Sequence, residues 1–302
     1  MQRNSVAYIL VFCAAICLVC SIVVSSTAVG LKERQDANKV LDRQKKVLSV
    51  ASLMEDGALM TAEEVDALFK SRIKAVVVDL ATGQVDQDTD PTTFDQLKAQ
   101  KDPATSKAAD KNRAGVTRVP NKGLVYQVST APCKGSCNKD ESFQLDQYIF
   151  PVEGKGLWST LYGFIAMAPD CNQIKGLTFY EHKETPGLGG EVDNPKWKAQ
   201  WPGKLAFGAM GSAPSTWGET QVAVVKAKKK PEHDIDALAG ATITGNGVTC
   251  HGSVGRQRRL KTTAIADWHD DATHQPERNQ PAVHLAFGVH PLAWYIHTAP
   301  SS

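Results

Sequence analysis

The apolar run at residues 6–29 contains no charge and dominates the N-terminal end of the chain. At about 24 residues it is long enough to cross a hydrocarbon core of roughly 30 Å as one helix. Ser26-Thr27-Ala28 loosely fits a signal-peptide cleavage site, but signal cores run only about 7–15 residues, which favours an uncleaved anchor. Beyond the span, apolar residues return every seven positions, at Val40/Leu41, Val47/Leu48 and Met54. That period predicts a helix continuing out of the membrane with one face packed. Thr61 and Glu64 have capping-box spacing, with Val65, Leu68, Phe69 and Ile73 forming the helical face behind them. Residues 75–78 read as a strand, ended by Gly83.

Residues 84–121 are polar and interrupted by Pro91, Pro103 and Pro120. They predict a surface insertion with one short helix near 92–100. Strands are predicted at 124–129, 147–151, 160–167, 174–180 and 221–226, with Pro169-Asp170-Cys171-Asn172 as a hairpin turn. A helix is predicted after Gly245. The fold class is α+β, a mainly antiparallel mixed sheet with packed helices, preceded by one N-terminal transmembrane helix.

Composition changes this picture little. Charged residues make up 22% and hydrophobic residues 42%, as in ordinary globular chains. A net charge of +2 gives no polyanion signal, so no nucleic-acid partner is expected. Cys13, Cys17 and Cys20 fall in the span and read as small hydrophobes. Cys133 and Cys137 flank Lys-Gly-Ser and suit a disulfide in an oxidising compartment; no histidine lies near enough to suggest a metal site. Lys32, Arg34, Lys39, Arg43, Lys45 and Lys46 follow the span, so a positive-inside count alone would put the domain in the cytoplasm.

The chemistry concentrates in two glycine-rich segments. Glu184-Thr185-Pro186-Gly187-Leu188-Gly189-Gly190 is a turn signal, and Asp236-Ala-Leu-Ala-Gly240-Ala241-Thr242-Ile-Thr244 surrounds a threonine hydroxyl with small residues. Alone, each reads most simply as a loop. Together they resemble the FMN-binding domains in which FMN is joined to a threonine by a phosphodiester bond. Asp236, Gly240, Ala241 and Thr242 match the attachment pattern, and Ala239 stands where that family usually has Ser or Thr. The segments 154–164 (Gly-Lys-Gly-Leu-Trp-Ser-Thr-Leu-Tyr-Gly-Phe) and 191–197 (Glu-Val-Asp-Asn-Pro-Lys-Trp) narrow the resemblance to the C subunit of the sodium-translocating NADH:quinone oxidoreductase.

That resemblance implies a covalent FMN on Thr242, with Asp236, Gly240, Ala241 and Thr244 beside it. Glu184, Thr185, Pro186, Gly187, Leu188 and Gly189 would form a rigid turn against the isoalloxazine. It also implies maturation by a flavin transferase, assembly with the other subunits of the membrane-bound NADH:quinone reductase complex, and a bacterial inner-membrane location with the soluble domain periplasmic. Trp158, Trp197 and Trp201 are candidate stacking partners, and His182 and Glu184 candidate modulators of the flavin. No catalytic residue or metal ligand is assigned. The chain has no hydrolytic triad and no G-x-G-x-x-G after a strand, so it is not expected to oxidise NADH alone. The alternatives are a G-type subunit of an Rnf complex and a membrane-anchored sensor or assembly protein holding FMN non-covalently.

The domain reading is an anchor at 1–30, an FMN-binding domain at 31–248 and a tail at 249–302. The resemblance stops after Val248, where His251, His269, His274, His284, His290 and His297 appear among scattered prolines without helical periodicity. A metal-binding tail, a disordered extension and an out-of-frame translation are the readings, and the last is favoured.

Overall fold

A computed structural model describes residues 5–109, 112, 114–138, 140, 142–209 and 220–249. The tail from 250 onward, with its out-of-frame reading, lies outside the described residues. Helix α1 (Val6–Val50) runs unbroken from the apolar run into the domain, through Ser26–Ala28. In its first half Leu10, Phe12, Ile16 and Val23 are all exposed, as suits a membrane span rather than a buried core helix. Further along, Val47, Leu48 and Val50 are buried, and Leu41 packs with them. The seven-residue stripe is only partly helical: Val40 remains exposed, and Met54 joins the same cluster from beyond the Ala51 cap.

Helix α2 (Ala62–Arg72) starts with the expected capping box. The Glu64 amide donates to Thr61 Oγ1 at 3.3 Å, and the Thr61 amide donates to Glu64 Oε2 at 2.8 Å. Val65 is fully buried behind it, whereas Ile73 already opens the first strand. Strands β1 (Ile73–Asp79) and β2 (Val85–Asp86) follow, then α3 (Gln96–Lys101), β3 (Ser106–Ala108) and β4 (Arg118–Pro120). The last three lie in the segment predicted as a surface insertion, which packs more closely than its polarity suggested. Ala114 and Val119 are buried, and the Lys155 amide donates to Ala114 O at 2.7 Å. A few apolar residues here find the sheet, a long-range match that local pattern does not reveal.

The central sheet is completed by β5 (Lys122–Ser129), β6 (Leu145–Lys155), β7 (Thr160–Met167) and β8 (Ile174–Glu181), in the order β2-β1-β5-β6-β7-β8 with every pair antiparallel. Alternation along β7 sends Leu161, Ile165 and Met167 to one face and Phe164 and Ala166 to the other. The second face is covered by α1 and α2. The first is covered by a 3-10 helix (Gly189–Asp193), α4 (Pro195–Lys198), the parallel pair β9 (Ala223–Val225) and β10 (Asp234–Asp236), and α5 (Thr242–Thr249). Trp197 and Trp201 belong to this core, their rings 5.6 Å apart edge to face.

Two connections matter for the site. Helix α1 packs antiparallel to β8, with the Val50 backbone against Gly176 and the Arg43 guanidinium 5.2 Å from the Tyr180 ring centre. The C-terminal end of β8 therefore points back along α1, toward the span. Cys133 and Cys137 are joined in a disulfide, and their amides donate to the Ser71 and Lys70 carbonyls at the end of α2.

Candidate functional site

The two glycine-rich segments fold into similar turns. In the first, the Leu188 amide donates to Thr185 O at 3.1 Å, Pro186 fixes the first corner, and Gly187 takes φ +79°. In the second, the Ala241 amide donates to Leu238 O at 3.3 Å with Gly240 at φ +68°. Both corners use the left-handed region that favours glycine. A side chain at Gly240 would also meet Leu188 Cδ2 at 2.9 Å, so the turns approach each other there.

The second turn delivers the chain into α5. The Gly245 amide donates to Ala241 O at 2.9 Å, so Ala241 is the cap residue and the helix begins at Thr242, not after Gly245 as predicted. The cap position itself holds no Ser, Thr, Asp or Asn, which is why pattern reading placed the start late. Alanine offers no side-chain acceptor, so the first amides of α5 keep their donor capacity and the positive end of the helix dipole.

Helix α5 is fixed by backbone contact. A methyl group on Gly247 would overlap the Lys155 carbonyl, and one on Gly154 would overlap the Gly247 carbonyl. The helix thus lies directly on β6, and Val248 and Thr244 are buried beneath it.

One cleft brings the two segments together. Its walls are Leu157 and Trp158 after β6, Glu184 to Gly189 after β8, and Gly240 to Thr244 at the start of α5. Of the predicted residues, Glu184, Thr185, Leu188, Gly189, Gly240, Ala241, Thr242 and Thr244 line it; Pro186 and Gly187 shape the turn behind it. Asp236 stands outside. Its carboxylate pairs with Lys228 at 2.8 Å, its amide donates to Gln200 Oε1, and its carbonyl accepts from Trp197 Nε1 at 2.8 Å. That anchors the loop leading to the helix.

The threonines of α5 differ sharply. Thr242 is exposed, and its hydroxyl has no hydrogen-bond partner among the described residues. Thr244 is only 1% exposed and donates its hydroxyl to Glu184 Oε2 at 2.6 Å. Glu184 also accepts from the amides of Leu157, Trp158 and Ser159 at 3.1, 2.9 and 3.3 Å. Burial pushes this carboxyl upward, but the Thr244 hydroxyl and the three amides outweigh it and hold its pKa below the usual 4.5. His182 lies just outside the cleft, 2.7 Å from Asp193 Oδ2; that bond outweighs partial burial and raises its pKa above 6.5.

Of the three candidate tryptophans, only Trp158 reaches the cleft. It is 68% exposed, with Nε1 donating to Thr185 Oγ1 at 3.0 Å. Leu157 and Ile243, 57% and 53% exposed, complete an apolar rim that sequence reasoning left unassigned. The available signal was two bulky apolar residues directly after Gly154-Lys-Gly156, at a point where a strand should turn.

A model of the FMN-binding domain family matches residues 156–250, a range that holds every wall of this cleft. Among curated proteins, the C subunit of the Na(+)-translocating NADH-quinone reductase of Pseudomonas aeruginosa is 44% identical over 254 residues, covering 82% of this chain and 90% of that one. The same subunit from Vibrio anguillarum is 41% identical over 82% of this chain and 89% of its own length. The crystal structure of Shewanella oneidensis NqrC superposes with a TM-score of 0.62 at 31% identity, covering 78% of this chain and 99% of that one. Identity at this level along nearly the whole of these relatives speaks of common descent as well as common fold, and the chain belongs to the C-subunit family of the Na(+)-translocating NADH-quinone reductase.

Proposed function

We propose that this chain relays electrons through an FMN joined by a phosphoester to Thr242. The observation that carries this reading is the exposed Thr242 hydroxyl, without a hydrogen-bond partner among the described residues, at the start of α5, in one cleft with Thr185, Leu188 and Trp158. The first-turn amides, without a partner among the described residues, suit a phosphate next to that hydroxyl. Leu188 and the Trp158 ring offer apolar surface for the isoalloxazine. A flavin supplies the redox chemistry when bound; the protein attaches, orients and shields it. The cleft encloses about 260 Å³, below the roughly 300–1,000 Å³ of pockets that engulf a ligand, so part of a flavin here would stay accessible to partners.

As a member of its family the chain is a flavoprotein subunit of a sodium-translocating NADH:quinone reductase, a translocase that works only as an assembly. Its partners are the other subunits of that membrane complex, and a flavin transferase loads the FMN. Residues 1–30 anchor the protein, 31–248 form the FMN-binding domain, and the domain faces the periplasm of a bacterial inner membrane. The Cys133–Cys137 disulfide supports that side, because disulfides persist in oxidising compartments, and long domains translocate despite basic flanks. The antiparallel packing of α1 on β8 sets the cleft at the end of the domain nearest the span, within reach of membrane-embedded partners. Co-expression with a flavin transferase followed by a denaturing gel tests the covalent link. A fluorescent band at the size of this chain is expected, and flavin lost on denaturation would restrict the function to non-covalent FMN binding.

A further inference from the structure

Glu184 receives four hydrogen bonds from two separate parts of the cleft wall. Oε2 accepts from the Leu157 amide at 3.1 Å and the Thr244 hydroxyl at 2.6 Å. Oε1 accepts from the Trp158 amide at 2.9 Å and the Ser159 amide at 3.3 Å. One donor is on α5, which carries Thr242; the other three are on the loop that carries Leu157 and Trp158. Glu184 is 6% exposed, and protein donors engage both of its carboxylate oxygens.

Its surroundings are tight. A methyl group at Gly156 would come within 2.5 Å of Oε1, and one at Gly189 within 2.7 Å of both Oε2 and the Thr244 hydroxyl. Small residues on both sides let the carboxylate bridge the gap directly. The chemistry of the bridge is specific to a carboxylate. A glutamine amide placed at Oε1 would confront two backbone donors, and placed at Oε2 it would confront the Leu157 amide. An aspartate is one methylene too short to reach both elements.

We propose that Glu184 is the positioning residue of the cleft: its carboxylate sets the distance between the Trp158 loop and the Thr242 helix start, and it acts through them rather than by touching the flavin. The inference rests on Thr242 being the flavin residue. It recasts Glu184, expected to bind or tune the flavin directly, as the tie between the two elements that do.

The full-length protein, co-expressed or incubated with a flavin transferase and FAD, provides the test. Wild type, Glu184→Gln, Thr244→Val, Thr244→Ser and Thr242→Ala would be compared for initial rate of covalent flavin loading and for the midpoint potential of the fraction that loads. Losing a charge-assisted hydrogen bond and opposing a backbone donor should slow Glu184→Gln about tenfold. It should also shift the potential, which a purely structural defect in the unloaded fraction would leave unchanged. Thr244→Val, which removes one donor of four, should slow loading less, and Thr244→Ser should match wild type. The near-ultraviolet dichroism of the buried Trp197–Trp201 pair reports whether each variant is folded; if Glu184→Gln is not, Thr244→Val decides. Wild-type loading rate and potential in a folded Glu184→Gln, or in Thr244→Val where that variant decides, would overturn the inference. If Thr242→Ala abolishes loading in the same experiment, only this inference falls. Loading that persists in Thr242→Ala overturns the reading of the site itself.

Discussion

The Thr244 hydroxyl donates to Glu184 Oε2 at 2.6 Å across a sequence separation of 60 residues, and this contact joins the two glycine-rich segments. It also separates two chemically similar threonines. Thr244 is committed to the core, while Thr242, two residues earlier on the same helix, presents to the cleft a hydroxyl with no partner among the described residues. Thr242→Ala should therefore abolish covalent flavin, whereas Thr244→Ala should still acquire it, more slowly. In-gel flavin fluorescence after denaturation distinguishes them; a persistent band in Thr242→Ala contradicts the assignment.

The backbone contact between α5 and β6 has a measurable consequence. Gly247→Ala improves helix propensity by roughly 1 kcal/mol, yet its methyl would overlap the Lys155 carbonyl. Overpacking against backbone costs about 1–3 kcal/mol, and the side chain has no room to move aside. Net of the propensity gain, the expected result is a domain destabilised by up to about 2 kcal/mol, with lower flavin occupancy, since the helix start moves with the helix. Urea denaturation checks the first effect and absorbance per chain the second. An unchanged midpoint would show that α5 does not dock through this glycine.

The His182–Asp193 pair gives a pH signature. The histidine pKa is raised in the folded state, so the stabilisation is complete below its unfolded value of 6.5 and is lost as pH rises through the folded value. Thermal melts of wild type and His182→Gln should differ most below pH 6.5 and converge as pH rises through the raised folded-state pKa. A gap that widens with pH would reverse the sign and refute the pairing.

Helix α1 is exposed along its apolar half, with no face buried in the protein. The chain should stay in the membrane fraction through high-salt and carbonate washes, at its full N-terminal length. Release of a shortened soluble form would identify residues 6–29 as a cleaved signal instead.

Much of this architecture was legible in the chain. The Thr61–Glu64 box, the short apolar run of β7 and the length of the N-terminal apolar run are local signals, and each formed the expected element. What escaped local reading depended on distant partners. The start of α5 is set by Gly240 and Ala241, which carry no cap side chain, and the insertion packs through Ala114 and Val119 against strands far away in sequence. Trp158 belongs to the cleft and Trp197 to the core, although nothing in their immediate neighbours distinguishes them. Asp236, part of the recognisable motif, turned out to brace the loop through Lys228 and not to face the cleft.

The FMN-binding match ends at residue 250, where the periodicity of the chain also changes. If the sequence beyond comes from a shifted reading frame, apolar side chains that the in-frame sequence would supply to the core are lost, each worth roughly 1.5–3 kcal/mol when buried. That is a large share of a typical stability of about 5–15 kcal/mol. A version carrying an apolar helical segment after Val248 should melt higher and load more flavin, and resequencing should reveal the shift. A confirmed frame together with protease resistance beyond Thr249 would make the tail a genuine structural variant.

The central claim is that Thr242 carries the flavin, and peptide mapping by mass spectrometry tests it most directly. The protein purified after co-expression with a flavin transferase would be digested, and the peptide containing Thr242 and Thr244 fragmented to locate the added mass. The account predicts an FMN phosphoester on Thr242 with Thr244 unmodified. The adduct on Thr244, on any other residue, or absent from a fully folded protein would contradict it.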